Sequence, residues 1–318
     1  MSLNGSKNMT TVTEFLLIGL VLQHDLEIIL FLLFLLIYVI TVLGNGLIIV
    51  FICIDQRLHS PMYFFLSNLS FIEIFMTTCI VPKMLANFMA EKKTISFAGC
   101  LAQSYFYFFM GSTEFILFAA MSFDRYIAIC YPLRYPTIMT GKVCINMVIG
   151  SWIGGFFSIF LSTLLKARLL YCGPNVINHY FCDSAPLLHL ACMDISFIEL
   201  VDFISSLFLL LGSLSFTAVS YVYIISTILK IPSAQGRKKA FATCASHFTV
   251  VSMGYGISIF VYVRPSQSDT MSMNKALAIF SGILTPLLNP FIFSLRNEQM
   301  KEVLRDFLKI IASHVKGS

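Results

Sequence analysis

The sequence predicts an all-α membrane protein: a seven-transmembrane-helix bundle with a short amphipathic cytoplasmic helix after the last span. Hydrophobic residues make up 58% of the 318 and charged ones only 12%, roughly half the charged share of a soluble domain. Apolar runs of about 20 residues, long enough at about 1.5 Å per residue to cross a hydrocarbon core, recur along the chain with short polar gaps. The last stretch is instead polar on one face and apolar on the other.

Taken in order, residues 1–25 form a polar extracellular N-terminus. The seven-transmembrane domain, 26–295, holds spans near 26–54, 61–82, 98–124, 143–165, 197–229, 240–263 and 274–295, and 296–318 form a cytoplasmic tail. No short basic leader or small-residue cleavage site accompanies the first span, so an uncleaved signal anchor is expected. Of 21 Lys and Arg, 13 fall in the gaps that are cytoplasmic if the N-terminus is outside, the sense the positive-inside rule favours. Sequons at Asn4 and Asn8 agree, since only a lumenal segment is glycosylated. A third match, Asn68-Leu69-Ser70, lies inside the second span and is coincidental. The formal charge of +5 is spread mainly over the cytoplasmic loops and tail, where anionic lipid and a protein partner both favour it; nucleic acid is not needed to explain it.

Of nine cysteines, Cys53, Cys79, Cys130, Cys144 and Cys244 lie within or at the cytoplasmic ends of spans and are expected as thiols. Cys100, Cys172, Cys182 and Cys192 fall on the oxidising side, which implies two disulfides with three possible pairings. The 166–196 gap is long for a connection between packed helices, and a disulfide would fold it over the bundle as a lid. His179, Cys182 and His189 suggest no metal site, because disulfides consume the thiols.

Charged groups inside apolar spans are costly and so mark function. Glu73, 12 residues after Pro61, sits about 18 Å up the second span, and Glu114, 11 residues before Arg125, about 16 Å up the third. With Asn45 and Asn289 they form a polar layer near mid-membrane. Two close carboxylates stay ionised only around a cation, which predicts a sodium ion bridging Glu73 and Glu114, with a protonated pair as the alternative. No other cofactor is expected.

The third span ends in MSFDRYIAIC, Met121 to Cys130, which places Asp124, Arg125 and Tyr126 at the cytoplasmic surface. Gly44-Asn45, LHSPMYFFLSNLS (Leu58–Ser70), LLYCGPNVINHYFCDSAPLLHLAC (Leu169–Cys192), KAFATCASH (Lys239–His247) and PLLNPFIFSLRN (Pro286–Asn297) accompany it in order. Together these resemble the odorant receptors of the rhodopsin-like, G-protein-coupled class, of the tetrapod (class II) type, over nearly the whole chain.

The resemblance implies that Cys100 pairs with Cys182, leaving Cys172 for Cys192. It implies an outer-half ligand cavity lined by Tyr107, Phe108, Gly111 and Ser112 on the third helix, and by Ser205, Ser206 and Leu209 on the fifth. Tyr255, Ser258, Ile259 and Tyr262 on the sixth, with Ile279 and Gly282 on the seventh, complete it. Such a lining suits a neutral, mostly apolar volatile with one hydrogen-bonding group; apart from Glu114, assigned to the polar layer, no acid is evident on the third helix to pair with an amine. It further implies a switch of Asp124, Arg125, Tyr126, Tyr221, Lys239, Asn289 and Pro290. The partners it implies are membrane lipid and a heterotrimeric G protein of the stimulatory olfactory type, working through cAMP at the plasma membrane of sensory-neuron cilia.

One departure stands out: where the family's seventh helix carries N-P-x-x-Y, this chain has Phe293. A link from Tyr221 to a hydroxyl there cannot form, so altered basal activity is expected. Tyr255 between Gly254 and Gly256 is a candidate pivot. A receptor for a non-odour metabolite and an ion-coupled transporter are the alternatives, although no internal repeat supports the latter. An intramembrane enzyme is disfavoured because His247 lies far from the carboxylate layer.

Overall fold

A computed structural model describes residues 12–20, 24–172, 174–263 and 270–317. Among them, seven long helical elements follow one another: His24–Ile54, Pro61–Met89, Phe97–Cys130, Gly141–Ala167, Ser196–Leu229, Ala234–Val263, and a seventh running Thr270–Ile279, a π-helical turn Phe280–Leu284 and Thr285–Arg296. Six are long and apolar enough to cross a membrane. Ala234–Val263 has a shorter apolar stretch, Cys244–Phe260, because its first turns carry Arg237, Lys238 and Lys239.

Local sequence explains the starts. Pro61 opens the second span with the φ a helix needs and no N–H to waste; Ser96 and Thr140 cap the third and fourth by accepting the Gly99 and Val143 N–H groups at 3.2 and 3.4 Å. The second span continues past Pro82 to Met89, seven residues beyond the expected end. Neighbouring helices can hold a proline-interrupted helix together where lipid alone would not.

The third span is central and packs against the second, fourth and fifth. Its approach to the fourth is set at Gly155, where a Cβ would lie 2.1 Å from Thr113 Oγ1. A core of Ile72, Met76, Leu117, Phe118, Val250, Tyr255 and Phe293 fills the middle of the bundle.

The bundle also carries a small sheet outside the helices. β1 (Glu14–Leu17) pairs antiparallel with β2 (Thr94–Ser96), matching Phe15 to Ile95, and parallel with β3 (Val176–Ile177). Phe15 and Leu17 are buried in a cluster with Cys100, Tyr171, Cys182 and Leu187. A Cβ at Gly19 would lie 2.3 Å from the His179 carbonyl carbon, so only glycine lets the strand pass. The loop between the fourth and fifth spans adds a short helix, Ser184–Leu188. After the seventh span, Glu298–Gly317 forms one amphipathic helix. Met300 and Val303 bury against the bundle, Phe307 meets Phe51 edge-on at 5.2 Å, and Asp306 pairs with Arg57 at 3.1 Å.

Candidate functional site

Cys100 is bonded to Cys182 and Cys172 to Cys192, the pairing the resemblance implies. The first bond fixes the loop directly over the third span, and Gln103 reinforces it: its Oε1 accepts the Cys182 N–H at 3.0 Å while its Nε2 donates to the Cys79 carbonyl at 2.8 Å. His179, Tyr180 and Phe181 are thereby pressed inward and buried. Burial, with Lys275 nearby, depresses the pKa of His179 to about 3. Asp183, whose carboxylate accepts the Ser184 N–H at 2.7 Å, is raised by burial to about 6.

Phe181 rests on Tyr107 with ring centroids 4.9 Å apart. Tyr107 is wedged against the seventh span, since a Cβ on Gly282 would lie 3.1 Å from its hydroxyl. The π-helical turn that contains Gly282 is a frequent mark of functional sites. Gly111 follows Tyr107 by four residues on the same helix face, and beyond the backbone of its own helix and its chain neighbours nothing lies within 4 Å of where its Cβ would be. Four residues deeper, Phe115 meets Tyr255 at 5.2 Å, and the Tyr255 hydroxyl lies 3.5 Å from Thr217 Oγ1. The third helix thus presents an open position between a roof of Tyr107 and Phe181 and a floor of Phe115 and Tyr255.

The remaining expected ligand residues divide. Phe108, Ser205, Ser206, Leu209, Ser258 and Ile279 are half-buried and Ser112 is buried. Ile259 does not join them: it is 37% exposed, on a stripe shared with Ser252, Gly256 and Phe260, because the packed face of the sixth span is set by Val250, Val251 and Tyr255. The Tyr262 side chain lies outside the described part, as do Asn4 and Asn8. Gly254 lets the sixth span approach Phe118, whose ring would be 2.9 Å from an added Cβ.

Below the floor, Asn45, Glu73, Glu114 and Asn289 are all buried. Asn289 donates to Glu73 Oε1, and Asn45 Nδ2 donates at 3.1 Å to the Pro286 carbonyl. Asn45 Oδ1, Glu73 Oε2 and Asn289 Oδ1 have no donor. Glu73 is therefore engaged by the seventh span. The seventh span brings Asn289 and Pro290 to this layer, and Pro290 packs 3.3 Å from a would-be Cβ on Gly44.

At the end opposite the disulfides, the structure corrects the placement of the D-R-Y residues at the surface. The third helix continues to Cys130, so Asp124 and Arg125 are 1% and 7% exposed. The one-turn helix Tyr135–Ile138 covers them. Asp124 Oδ2 accepts from Arg125, with Nε at 2.9 Å, while its Oδ1 accepts the Tyr135 hydroxyl at 2.7 Å. Tyr126 is half-buried and lies against Tyr131 and Tyr223. Lys239 is exposed at the start of the sixth span. Tyr221, left without a hydroxyl at Phe293, bonds His247 Nδ1 at 2.6 Å, ring stacked on ring. Phe293 is 1% exposed within the core.

Sequence reasoning passed over Tyr135, the Tyr221–His247 pair and the roof residues Tyr180 and Phe181, all of which become visible only when distant segments meet. It also missed Asp202 and Lys166. Asp202 stands inside the fifth span, and an acid in an apolar helix is itself a signal. The pair closes at 2.8 Å.

The seven-helix arrangement matches that of squid rhodopsin with a TM-score of 0.61 at 15% identity, over 91% of this chain and 87% of that one; this likeness concerns the fold. The sequence profile of the olfactory receptor family matches residues 34–310. The chain is 53% identical to human olfactory receptor 6J1 over 295 residues, 93% of this chain and 85% of that protein. It is 50% identical to mouse olfactory receptor 6E1 over 300 residues, covering 94% and 96%. Like them it is a multi-pass membrane protein and not an enzyme, and the chain belongs to the olfactory receptor family of G-protein-coupled receptors.

Proposed function

We propose that this receptor binds a neutral, small, mostly apolar volatile with one hydrogen-bonding group in the space beside Gly111, and that binding activates a stimulatory olfactory-type G protein that raises cAMP. The observation that carries the reading is the open position at Gly111 between an aromatic roof and an aromatic floor. Aromatic walls supply apolar burial, and the serines of the fifth and sixth spans supply the few polar groups that orient a ligand. In this reading the N-terminus is extracellular and the receptor resides in the plasma membrane of sensory cilia.

An agonist favours activation only through its greater affinity for the active state. Tyr255 couples the floor to the sixth span. Outward movement of that span has to part His247 from Tyr221 and Ser246 from the Ile292 carbonyl, 3.2 Å away. That movement opens Arg125 to a helix of the G protein.

Cells expressing the receptor are assayed for cAMP against a panel of alcohols, aldehydes, esters, amines and carboxylic acids. Neutral members are expected to activate, and Gly111→Leu, which fills the open position, to weaken the larger ones about tenfold or more. Selective activation by carboxylic acids, or an unaltered size profile in Gly111→Leu, overturns the reading. A receptor of the same fold for a non-odour metabolite is the second reading, supported by the same cavity.

The buried acceptors of Asn45, Glu73 and Asn289 support a sodium ion in the polar layer, held by these oxygens together with Glu114. An ion there favours the packed arrangement of the second, third and seventh spans. Replacing external sodium with a bulky organic cation is expected to increase agonist potency several-fold, and Glu114→Gln to abolish the effect. Equal potency in both media in the unaltered receptor favours a protonated carboxylate pair instead.

A further inference from the structure

The outer ends of the fourth and fifth spans meet in an ionic junction, buried at Lys166 and half-buried at Asp202, that no part of the activation mechanism uses. Lys166, 5% exposed, points its Nζ at Asp202 Oδ2, 2.8 Å away, and donates to Ser184 Oγ at 2.6 Å. Ser184 Oγ in turn donates to Asp202 Oδ2 at 3.1 Å, and the Ser162 hydroxyl donates to Asp202 Oδ1. One carboxylate thus takes donors from the fourth span and from the loop. Ser184 lies two residues beyond Cys182, the half-cystine bonded to Cys100 on the third span. The fourth span and the loop therefore converge on Asp202 of the fifth, and the disulfide ties that loop to the third span.

Apolar packing does little to fix this part of the fifth span: along Ser196–Leu229, only Ile198 among the buried residues precedes Ser213. Ser205 and Ser206 fall three and four residues after Asp202, one turn deeper on the same face. We infer that the Lys166–Asp202 pair is a positioning device for ligand recognition, holding Ser205 and Ser206 in register with the roof so that the odorant's hydrogen-bonding group is read. This rests on the proposed role of those serines as ligand contacts. Charge-assisted hydrogen bonds are short and directional, and removing the Asp202 carboxylate strands the buried Lys166 ammonium. An apolar contact would tolerate sliding of the fifth span, whereas this junction does not.

The test compares alcohols from hexanol to decanol with the matching alkyl chlorides, which keep the shape and lose the donor. The readouts are cAMP response and surface expression in cells. Ser205→Ala and Ser206→Ala are expected to lower the preference for alcohol over chloride by about tenfold. Lys166→Met and Asp202→Asn are expected to do the same from one turn away, while the chloride EC50 moves less than about threefold. Exchange of the charges, Lys166→Glu with Asp202→Lys, is expected to restore the preference. Ser184→Ala, which removes one donor and no charge, gives a smaller loss in the same direction and serves if the charge variants fail to reach the surface. If alcohol and chloride responses weaken together, the junction is structural only and the inference is overturned. If the serine variants lower the preference and neither the pair variants nor Ser184→Ala do, the inference alone fails. A wild-type receptor with no preference for alcohols refutes the ligand reading, and the inference with it.

Discussion

His179 and Asp183 lie four residues apart in the loop over the bundle and respond to acid in opposite senses. The imidazole is depressed from 6.5 to about 3, so as pH falls below 6.5 an unfolded chain takes up a proton that the folded loop refuses. Each pH unit in that range lowers stability by at most about 1.4 kcal/mol. Asp183, raised from 3.8 to about 6, binds its proton sooner when folded. Its burial weighs against the fold at neutral pH and is relieved as pH falls from 6 towards 3.8. Between pH 6.5 and 6 the histidine acts alone, and below 6 the two offset. Thermal melts of the purified receptor from pH 7 to 5 are expected to show Tm falling first and then levelling. Asp183→Asn steepens the fall below pH 6, and His179→Phe reverses it. A Tm profile identical in all three proteins counts against this account.

At the scale of elements, the contacts that matter join helices through a few polar or small residues. The one-turn helix Tyr135–Ile138 packs on the core beside the third span and bonds it through the Tyr135 hydroxyl, 2.7 Å from Asp124. Tyr135→Phe removes one hydrogen bond from the packed state, a net loss of about 1 kcal/mol. Basal cAMP per surface receptor is expected to rise about fivefold as the population shifts; a fall would show that Tyr135 supports the active state. Phe293→Tyr acts on the same balance. Tyr221 is already bonded to His247, so a new hydroxyl buried at position 293 lacks that partner while the helices stay packed, at a cost of about 1–3 kcal/mol. Basal activity is expected to rise, measured in the same assay.

For the whole molecule, the strand Glu14–Leu17 acts as a strap between the loop before the third span and the loop after the fourth. Lys275 extends the tie to the seventh span by donating to the Gly19 carbonyl at 3.2 Å and to Asn178 Oδ1 at 2.6 Å. Phe15 is the strap's anchor, fully buried with Tyr171 edge-on at 5.5 Å. Phe15→Ala is expected to cost about 3–5 kcal/mol and to reduce surface expression, read by flow cytometry, with the variant retained inside the cell. Wild-type expression and melting of Phe15→Ala would show that the strap is dispensable.

Composition and hydropathy determined by themselves that this chain is a bundle of membrane spans, because a lipid core demands long apolar helices whatever their partners. Short motifs did the same for the disulfide-bearing loop and the family, because each is contiguous in sequence. Tertiary structure alone decided the rest. Asp124 and Arg125 are buried because a helix ten residues away folds over them. Tyr221 meets His247 across 26 residues, and β1 pairs with strands some 80 and 160 residues distant. Glu73 turns to Asn289 across 216 residues. The Lys166–Asp202 junction is intermediate: each charge is visible in the sequence as an anomaly near an apolar helix, but their meeting is not. Apolar periodicity records which face a helix buries and says nothing of which polar atoms on two helices arrive at the same point, since that depends on helix rotation and depth set by packing of the whole bundle.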